Sequence, residues 1–178
     1  MPEQSTDKAK LRELILLIAV RMEVDEHAGQ GRIKLAKLLW LSDFEAHRRF
    51  GRSITGERYI ADELGPAPAD EMLAVRDLEA TGDLLIEPGY EQQQLLRAKR
   101  PANTSLFSEE ELGVVEEMLT KYRKWTGRRL VKLAHEYPGW TIAQRGADIP
   151  YHSVHISVSG PTQRDIKRAR ELARDIPV

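Results

Sequence analysis

The first fifty residues carry apolar positions at the spacing of α-helices. In the first segment these positions are Leu11, Leu14, Ile15, Ile18 and Met22. A polar residue within 5–7 is suited to cap this helix, and the glycines of 29–31 end it. A second helix is predicted from Arg32 to Phe50. Its apolar face is expected to hold Ile33, Ala36, Leu39, Trp40 and Phe44, and its solvent positions Lys34, Lys37, Glu45, Arg48 and Arg49.

The middle of the chain changes to strand-like and turn-like patterns. Residues 54–64 favour a strand, and Gly65-Pro66-Ala67-Pro68 predicts a break before a third helix that runs to Ala80. That helix is expected to turn Met72, Val75 and Leu78 inward. A hairpin is predicted next, with strands at 84–86 and 95–96 and a turn at 88–89. The order helix, helix, strand, helix, hairpin is similar to a winged-helix arrangement.

The second half returns to helical spacing. Ser108 and Glu111 fit a capping box that starts a helix whose apolar face holds Leu112, Val115, Leu119 and Tyr122. A short helix over 128–136 and one more turn within 140–145 follow. The alternation of Val154, Ile156 and Val158 predicts an edge strand, and a highly charged helix is expected from Gly160-Pro161 to Ile176. We therefore expect a mainly α-helical α+β fold, a helical bundle with a small antiparallel sheet or hairpin. Residues 1–151 would form one domain, followed by the strand and charged helix of 152–178.

Composition and charge narrow the functional classes. Among 178 residues, 27 Lys and Arg stand against 28 Asp and Glu, which argues against a strongly basic nucleic-acid coat. The absence of cysteine excludes disulfides, thiolate nucleophiles and cysteine-ligated metals. No apolar run approaches the roughly 18 residues of a membrane span, and the first residues do not resemble a signal peptide. We therefore expect a cytoplasmic protein without a membrane partner.

No sequence motif supports catalysis, a cofactor or a metal. Gly-x-Ser-x-Gly, the Walker pattern and His-Glu-x-x-His are all missing. His152 and His155 are three residues apart in a segment expected to be extended, so their side chains would point to opposite faces. Asp43 and His47 are four apart on the second helix, a spacing more typical of a surface hydrogen bond than of a catalytic pair. The sequence therefore favours a protein that is not an enzyme.

Two basic stretches are candidates for nucleic-acid binding. One combines His47, Arg48, Arg49 and Arg52, and the other contains Lys121, Arg123, Lys124, Arg128, Arg129 and Lys132. Such side chains can neutralise phosphates, and Tyr122 and Trp125 could stack on bases. The alternative is that these cations cover a solvated helix face while Trp125 lies in the core.

Three stretches of the sequence, read in order, resemble the SocA-like antitoxin domain, also called the Panacea domain. They are residues 37–56, which include Lys37-Leu38-Leu39-Trp40 and Gly51-Arg52-Ser53-Ile54-Thr55-Gly56; Tyr59 with Gly65-Pro66-Ala67-Pro68; and Phe107–Glu111 with Leu133–Glu136, Trp140 and Ile149-Pro150-Tyr151. The resemblance covers about residues 10–151. Ala134 departs from the serine expected before His135.

The resemblance implies an antitoxin that binds and neutralises a cognate protein toxin, and related domains occur in phage-derived regions. It implies neither catalysis nor a cofactor. Occlusion of the toxin and delivery of the toxin to an ATP-dependent protease remain alternative routes, and a winged-helix-like regulator that binds its own operon DNA is the other alternative. The candidate partner-binding residues are Asp43, His47, Arg52, Tyr59, Trp125, His135 and Trp140. Arg52 is alternatively an ion-pair partner of Asp43, and His135 a hydrogen-bonded residue beneath Trp140. The candidate DNA-binding residues are Arg123, Lys124, Arg128, Arg129 and Lys132.

Overall fold

The computed structural model describes residues 5–26, 28–89 and 93–156 and confirms a mainly α-helical α+β fold. Its α-helices are α1 (Lys8–Val24), α2 (Arg32–Phe50), α3 (Glu71–Ala80), α4 (Glu109–Lys121), α5 (Gly127–His135) and α6 (Pro138–Thr141). Its strands are β1 (Tyr59–Asp62), β2 (Gly65–Pro68), β3 (Leu84–Pro88) and β4 (Gln94–Ala98). Two short 3₁₀ helices span Thr104–Leu106 and Tyr151–His155.

Helices α1 and α2 form the centre of the fold. Successive residues Leu14, Ile15 and Leu16 of α1 are all fully buried, so this helix is covered around most of its circumference. Helix α2 packs against α1, α4, α5, β2 and the second 3₁₀ helix. The predicted capping box at the start of α4 is present, since Ser108 and Glu111 bond reciprocally. Helix α2 therefore carries the residues that connect the main core to the site described below.

Three of the side-chain environments predicted for α2 are wrong, because α2 lies at the centre of the fold. Lys34 and Lys37 were expected in solvent but are buried, because their amines donate to backbone carbonyls inside the fold. Ile33 was expected in the core but is 45% exposed. On α3, Met72 is exposed and Ala74 takes an inward position beside Val75. The burial of both lysines reflects packing around α2 that its amphipathic pattern could not reveal.

The predicted hairpin is confirmed as β3 and β4, and a second antiparallel strand pair, which was not predicted, accompanies it. Gly65–Pro68 was predicted to break the chain but forms β2, which pairs with β1, while β3 pairs with β4 in a separate hairpin. Prolines are tolerated in β2 because a two-stranded ribbon does not need hydrogen bonds along both edges of each strand. The order of elements thus departs from the winged-helix-like prediction by one strand.

The last described residues, 151–156, also differ from the sequence prediction. Val154 and Ile156 were expected in an edge strand, but Tyr151–His155 forms a 3₁₀ helix packed on α2. Val158 and the charged helix expected to run to Ile176 lie outside the described residues. No helix among the described residues is both long and apolar enough to cross a membrane.

Candidate partner-binding site

The loop after α2 is fastened to the core by one buried carboxylate. Asp43 is fully buried and accepts hydrogen bonds from the backbone amides of Ile54 and Thr55 at 2.9 Å each. It also accepts from Thr55 Oγ1 at 2.6 Å and from the Tyr59 hydroxyl at 2.8 Å. Burial raises the pKa of Asp43, and the hydrogen bonds oppose that rise. Asp43 therefore organises the loop from within and does not reach the surface.

A second buried carboxylate lies in the same loop. Oε1 of Glu57 accepts from the backbone amides of Arg58 and Asp70 at 3.0 Å each, whereas Oε2 is buried and has no hydrogen-bond partner among the described residues. Burial raises the pKa of Glu57 to about 7, and nearby Asp70 and Asp43 contribute to the rise. The Tyr151 hydroxyl donates to the Glu57 carbonyl at 2.6 Å. This loop thus depends on two buried carboxylates that sequence reasoning did not identify as core groups.

An aromatic cluster packs beside the hydrogen bonds of Asp43 and Glu57. The ring of Phe44 lies 4.8 Å from Tyr151, 5.2 Å from Tyr59 and 5.8 Å from Tyr137, measured between centroids. Trp40 meets Tyr137 edge-on at 5.3 Å. Trp40, Phe44 and Tyr59 are buried, which confirms that Trp40 and Phe44 belong to the apolar face of α2. Together these rings join α2 to the β1–β2 ribbon, to the start of α6 and to the second 3₁₀ helix.

The β1–β2 turn is held by a stacked pair of side chains. His135 and Trp140 stack at 4.4 Å with their ring planes 17° apart. His135 Nε2 lies 2.9 Å from the Glu63 carbonyl, and the Trp140 indole N–H donates to the Asp62 carbonyl at 2.9 Å. The expected position of His135, hydrogen-bonded beneath Trp140, is therefore present. Both bond to the ribbon backbone and are half-buried.

Gly65 ends the β1–β2 turn in a conformation that requires glycine. Its φ is +99°, and a Cβ added there would lie 2.5 Å from the Cβ of Ala134. Ala134, the residue that departs from the expected serine, is fully buried at this contact. The close approach brings α5 against the ribbon and sets the position of His135.

A surface groove opens beside the aromatic cluster. It has a volume of about 670 Å³ and lies between α2, α4, α5 and the start of α6, with Val154 of the second 3₁₀ helix completing its wall. Its apolar lining includes Trp40, Leu41, Phe44, Met118, Leu133 and Tyr137. Its rim carries charged residues of both signs, among them Glu45, Arg48, Arg49, Glu117, Lys121 and Glu136. An apolar floor with a charged rim is the usual anatomy of a binding surface.

A basic stretch adjoins the groove at the junction of α4 and α5. Residues 121–132 contain six Lys and Arg and no acidic residue. Lys124, Arg128 and Lys132 are exposed and make no ion pair with any described residue. The Arg129 guanidinium lies 3.8 Å from the centroid of the Trp125 ring, and the Tyr122 ring makes a T-shaped contact with Trp125 at 5.1 Å between centroids. Trp125 is therefore half-buried beneath a cation and is not a bare stacking surface.

Two of the predicted partner-binding residues are buried, whereas His47 and Arg52 are accessible at least in part. Asp43 and Tyr59 are buried, so neither can touch a partner while the loop stays folded. His47 is half-buried and stacks on Tyr151 at 5.3 Å; burial lowers its pKa, and His155 and His152 lower it further. Arg52 is exposed and pairs weakly with Glu110 at 3.4 Å, not with Asp43. No cluster among the described residues has three side chains suited to hold a metal ion.

A family comparison covers most of the motif-bearing residues described above. Residues 35–141 match the family described as Antitoxin SocA-like, Panacea domain. The chain belongs to this family. The matched range contains all the groove-lining residues except Val154, so the groove is part of the Panacea domain. No curated protein and no solved structure gave a significant match.

Proposed function

We propose that this chain is a cytoplasmic antitoxin that neutralises a cognate protein toxin by direct contact at the groove between α2, α4, α5 and α6. One observation carries the proposal: the part of the chain that matches the antitoxin family builds nearly the whole groove. The function needs no catalytic group, because occupying a partner's surface is enough to block it. Delivery of the bound toxin to an ATP-dependent protease is a compatible second step.

The groove has the features of a protein-binding surface. Its floor contains aromatic side chains that the core holds rigidly, which lowers the entropic cost of binding. Trp, Tyr and Arg are enriched among the residues that dominate binding energy, and both Tyr137 and Arg48 line this groove. The alternative of a DNA-binding regulator has weaker support, since the groove's rim balances acidic against basic residues and is not uniformly positive.

A growth assay tests the proposal. The protein encoded by the adjacent reading frame is expressed alone and together with this chain, and growth and co-purification are measured. We expect the neighbour to arrest growth alone, and to be silenced by and to co-elute with this chain. A harmless neighbour that does not co-elute would contradict the antitoxin function and would favour the DNA-binding alternative.

Groove variants locate the contact in the same assay. Leu133→Glu places a charge on the groove floor, and Glu136→Trp fills its rim from an exposed position. Their matched controls, Leu106→Glu and Glu79→Trp, alter exposed residues that do not line the groove. We expect both groove variants to lose rescue and both controls to keep it, with all four folded by circular dichroism. Full rescue by Glu136→Trp would show that the toxin binds elsewhere.

A further inference from the structure

The cations at the α4–α5 junction are close together in the sequence, and several of them are unpaired among the described residues. Elsewhere arginines such as Arg32, Arg49 and Arg100 are engaged by carboxylates at 2.7–3.0 Å. Within residues 121–132, in contrast, Lys124, Arg128 and Lys132 are exposed and unpaired among the described residues. Because residues 121–132 contain no acidic residue, these unpaired cations form a local positive field on a chain whose net charge is only −1.

Helical geometry directs part of this field toward the groove. Leu130 and Ala134 of α5 are fully buried, so the opposite side of the helix faces solvent. Arg129 and Lys132 share a helical face with Leu133 and Glu136, because residues three, four and seven apart lie on one side. Leu133 and Glu136 line the groove, and so does Lys121 at the start of the basic stretch. Lys121, Arg129 and Lys132 therefore adjoin the apolar groove, and Lys124 and Arg128 belong to the same basic stretch.

We propose that this surface, the groove together with Lys124, Arg128, Arg129 and Lys132, binds a segment of a protein partner that carries apolar anchors and an acidic flank. The inference rests on the proposed function and names the chemistry of the toxin's contact segment. The apolar anchors would enter the groove floor, and the partner's carboxylates would pair with the free cations. Charge complementarity of this kind fixes orientation and speeds association.

Two other occupants fit the surface less well. Nucleic acid would gain from a bare aromatic ring, but Trp125 is covered by Arg129 on one face and contacted by Tyr122. The chain's own segment 161–176 contains five Lys and Arg and three Asp and Glu, so its net positive charge would be repelled by the cations. A partner segment that is both acidic and partly apolar can fill the groove and pair with the cations beside it.

Designed probes test this chemistry without knowledge of the toxin. Fluorescent helical peptides of about 18 residues carry Leu on one face and either Glu or Lys on the other, and a short DNA duplex serves as the third probe. Binding of each is measured by anisotropy to the full chain, to a Lys124→Glu/Arg128→Glu/Lys132→Glu variant, and to a Lys8→Glu/Arg76→Glu/Lys99→Glu control. The control reverses three exposed cations that are also unpaired among the described residues.

The expected result is selective binding of the Glu peptide. It should bind at least about 10-fold more tightly than the Lys peptide, and the α4–α5 variant should lose about 10-fold while the control loses little. Equal binding of the two peptides, no binding of the Glu peptide, or equal losses in both variants would overturn the proposal. Tighter, variant-sensitive binding of the DNA would assign the surface to nucleic acid instead. A chain that binds the Glu peptide but fails in the growth assay would refute the antitoxin function alone.

Discussion

Replacing Asp43 with alanine should destabilise the protein more than any surface change near it. The substitution removes the acceptor of four hydrogen bonds, two from backbone amides and two from hydroxyls, in a site with no exposure to water. The donors of Ile54, Thr55 and Tyr59 would be left facing a small cavity. The loop that carries the family motif would lose its attachment to α2.

The size of the effect follows from the cost of each orphaned donor. A buried donor without an acceptor costs about 1–3 kcal/mol, and the two hydroxyls can partly recover by rotating. Burying a carboxylate costs free energy, and because alanine removes that cost, part of the loss of stability is offset. We therefore expect Asp43→Ala to lower the free energy of unfolding by about 3–5 kcal/mol. Asp43→Asn, which keeps one acceptor oxygen, should lose about half as much.

Urea unfolding followed by tryptophan fluorescence and circular dichroism measures these losses. Arg52→Ala is the matched control in the same loop, since its ion pair with Glu110 is exposed on both sides and is worth under about 1 kcal/mol. A loss below about 1 kcal/mol for Asp43→Ala, or one equal to that of Arg52→Ala, would refute the view that this carboxylate fastens the loop.

Two further changes probe Glu57 and Gly65. Burial raises the folded-state pKa of Glu57 to about 7, so its contribution to stability is complete below about pH 4.5 and is lost as the pH rises through about 7. Glu57→Gln should therefore reduce the difference in urea midpoint between pH 5 and pH 8, and an unchanged difference would exclude Glu57 as its source. Gly65→Ala should lower the stability measured by thermal unfolding by about 3 kcal/mol, because it adds a clash with Ala134 to the strain of a positive φ. The control Gly82→Ala, at φ +77° with open space around it, should lower it by about 1–2 kcal/mol. Equal losses would contradict the close approach of Gly65 to Ala134.

Elements with strong local signals were predicted well from the sequence. The capping box at Ser108 and the limits of α2 are determined by residues within or next to each helix, and both are present. The ribbon strand β2 was missed because its prolines disfavour regular structure locally, and only its pairing with β1 makes it a strand. Lys34 and Lys37 were misplaced because long-range carbonyls, such as that of Pro66, receive their amines.

The site was predictable only in part. The sequence identified the basic stretch and the stacked pair of His135 and Trp140, since these depend on short separations along the chain. It could not separate exposed from buried members of the motif, so Asp43 and Tyr59 were included among the candidate contacts although both are buried. The groove was missed entirely, because its walls come from helices that are distant in the sequence. Tertiary packing, which no local pattern encodes, decides these features.

The central claim is tested most directly by the effect of the partner on stability. The purified chain and the Glu136→Trp variant are unfolded with urea with and without the protein encoded by the adjacent reading frame. A partner present at about 100 times its Kd should raise the stability of the wild-type chain by about 2.7 kcal/mol. We expect this gain for the wild-type chain and a much smaller one for the variant. No gain in the wild-type chain would contradict toxin binding, and an equal gain in both would contradict binding at the groove.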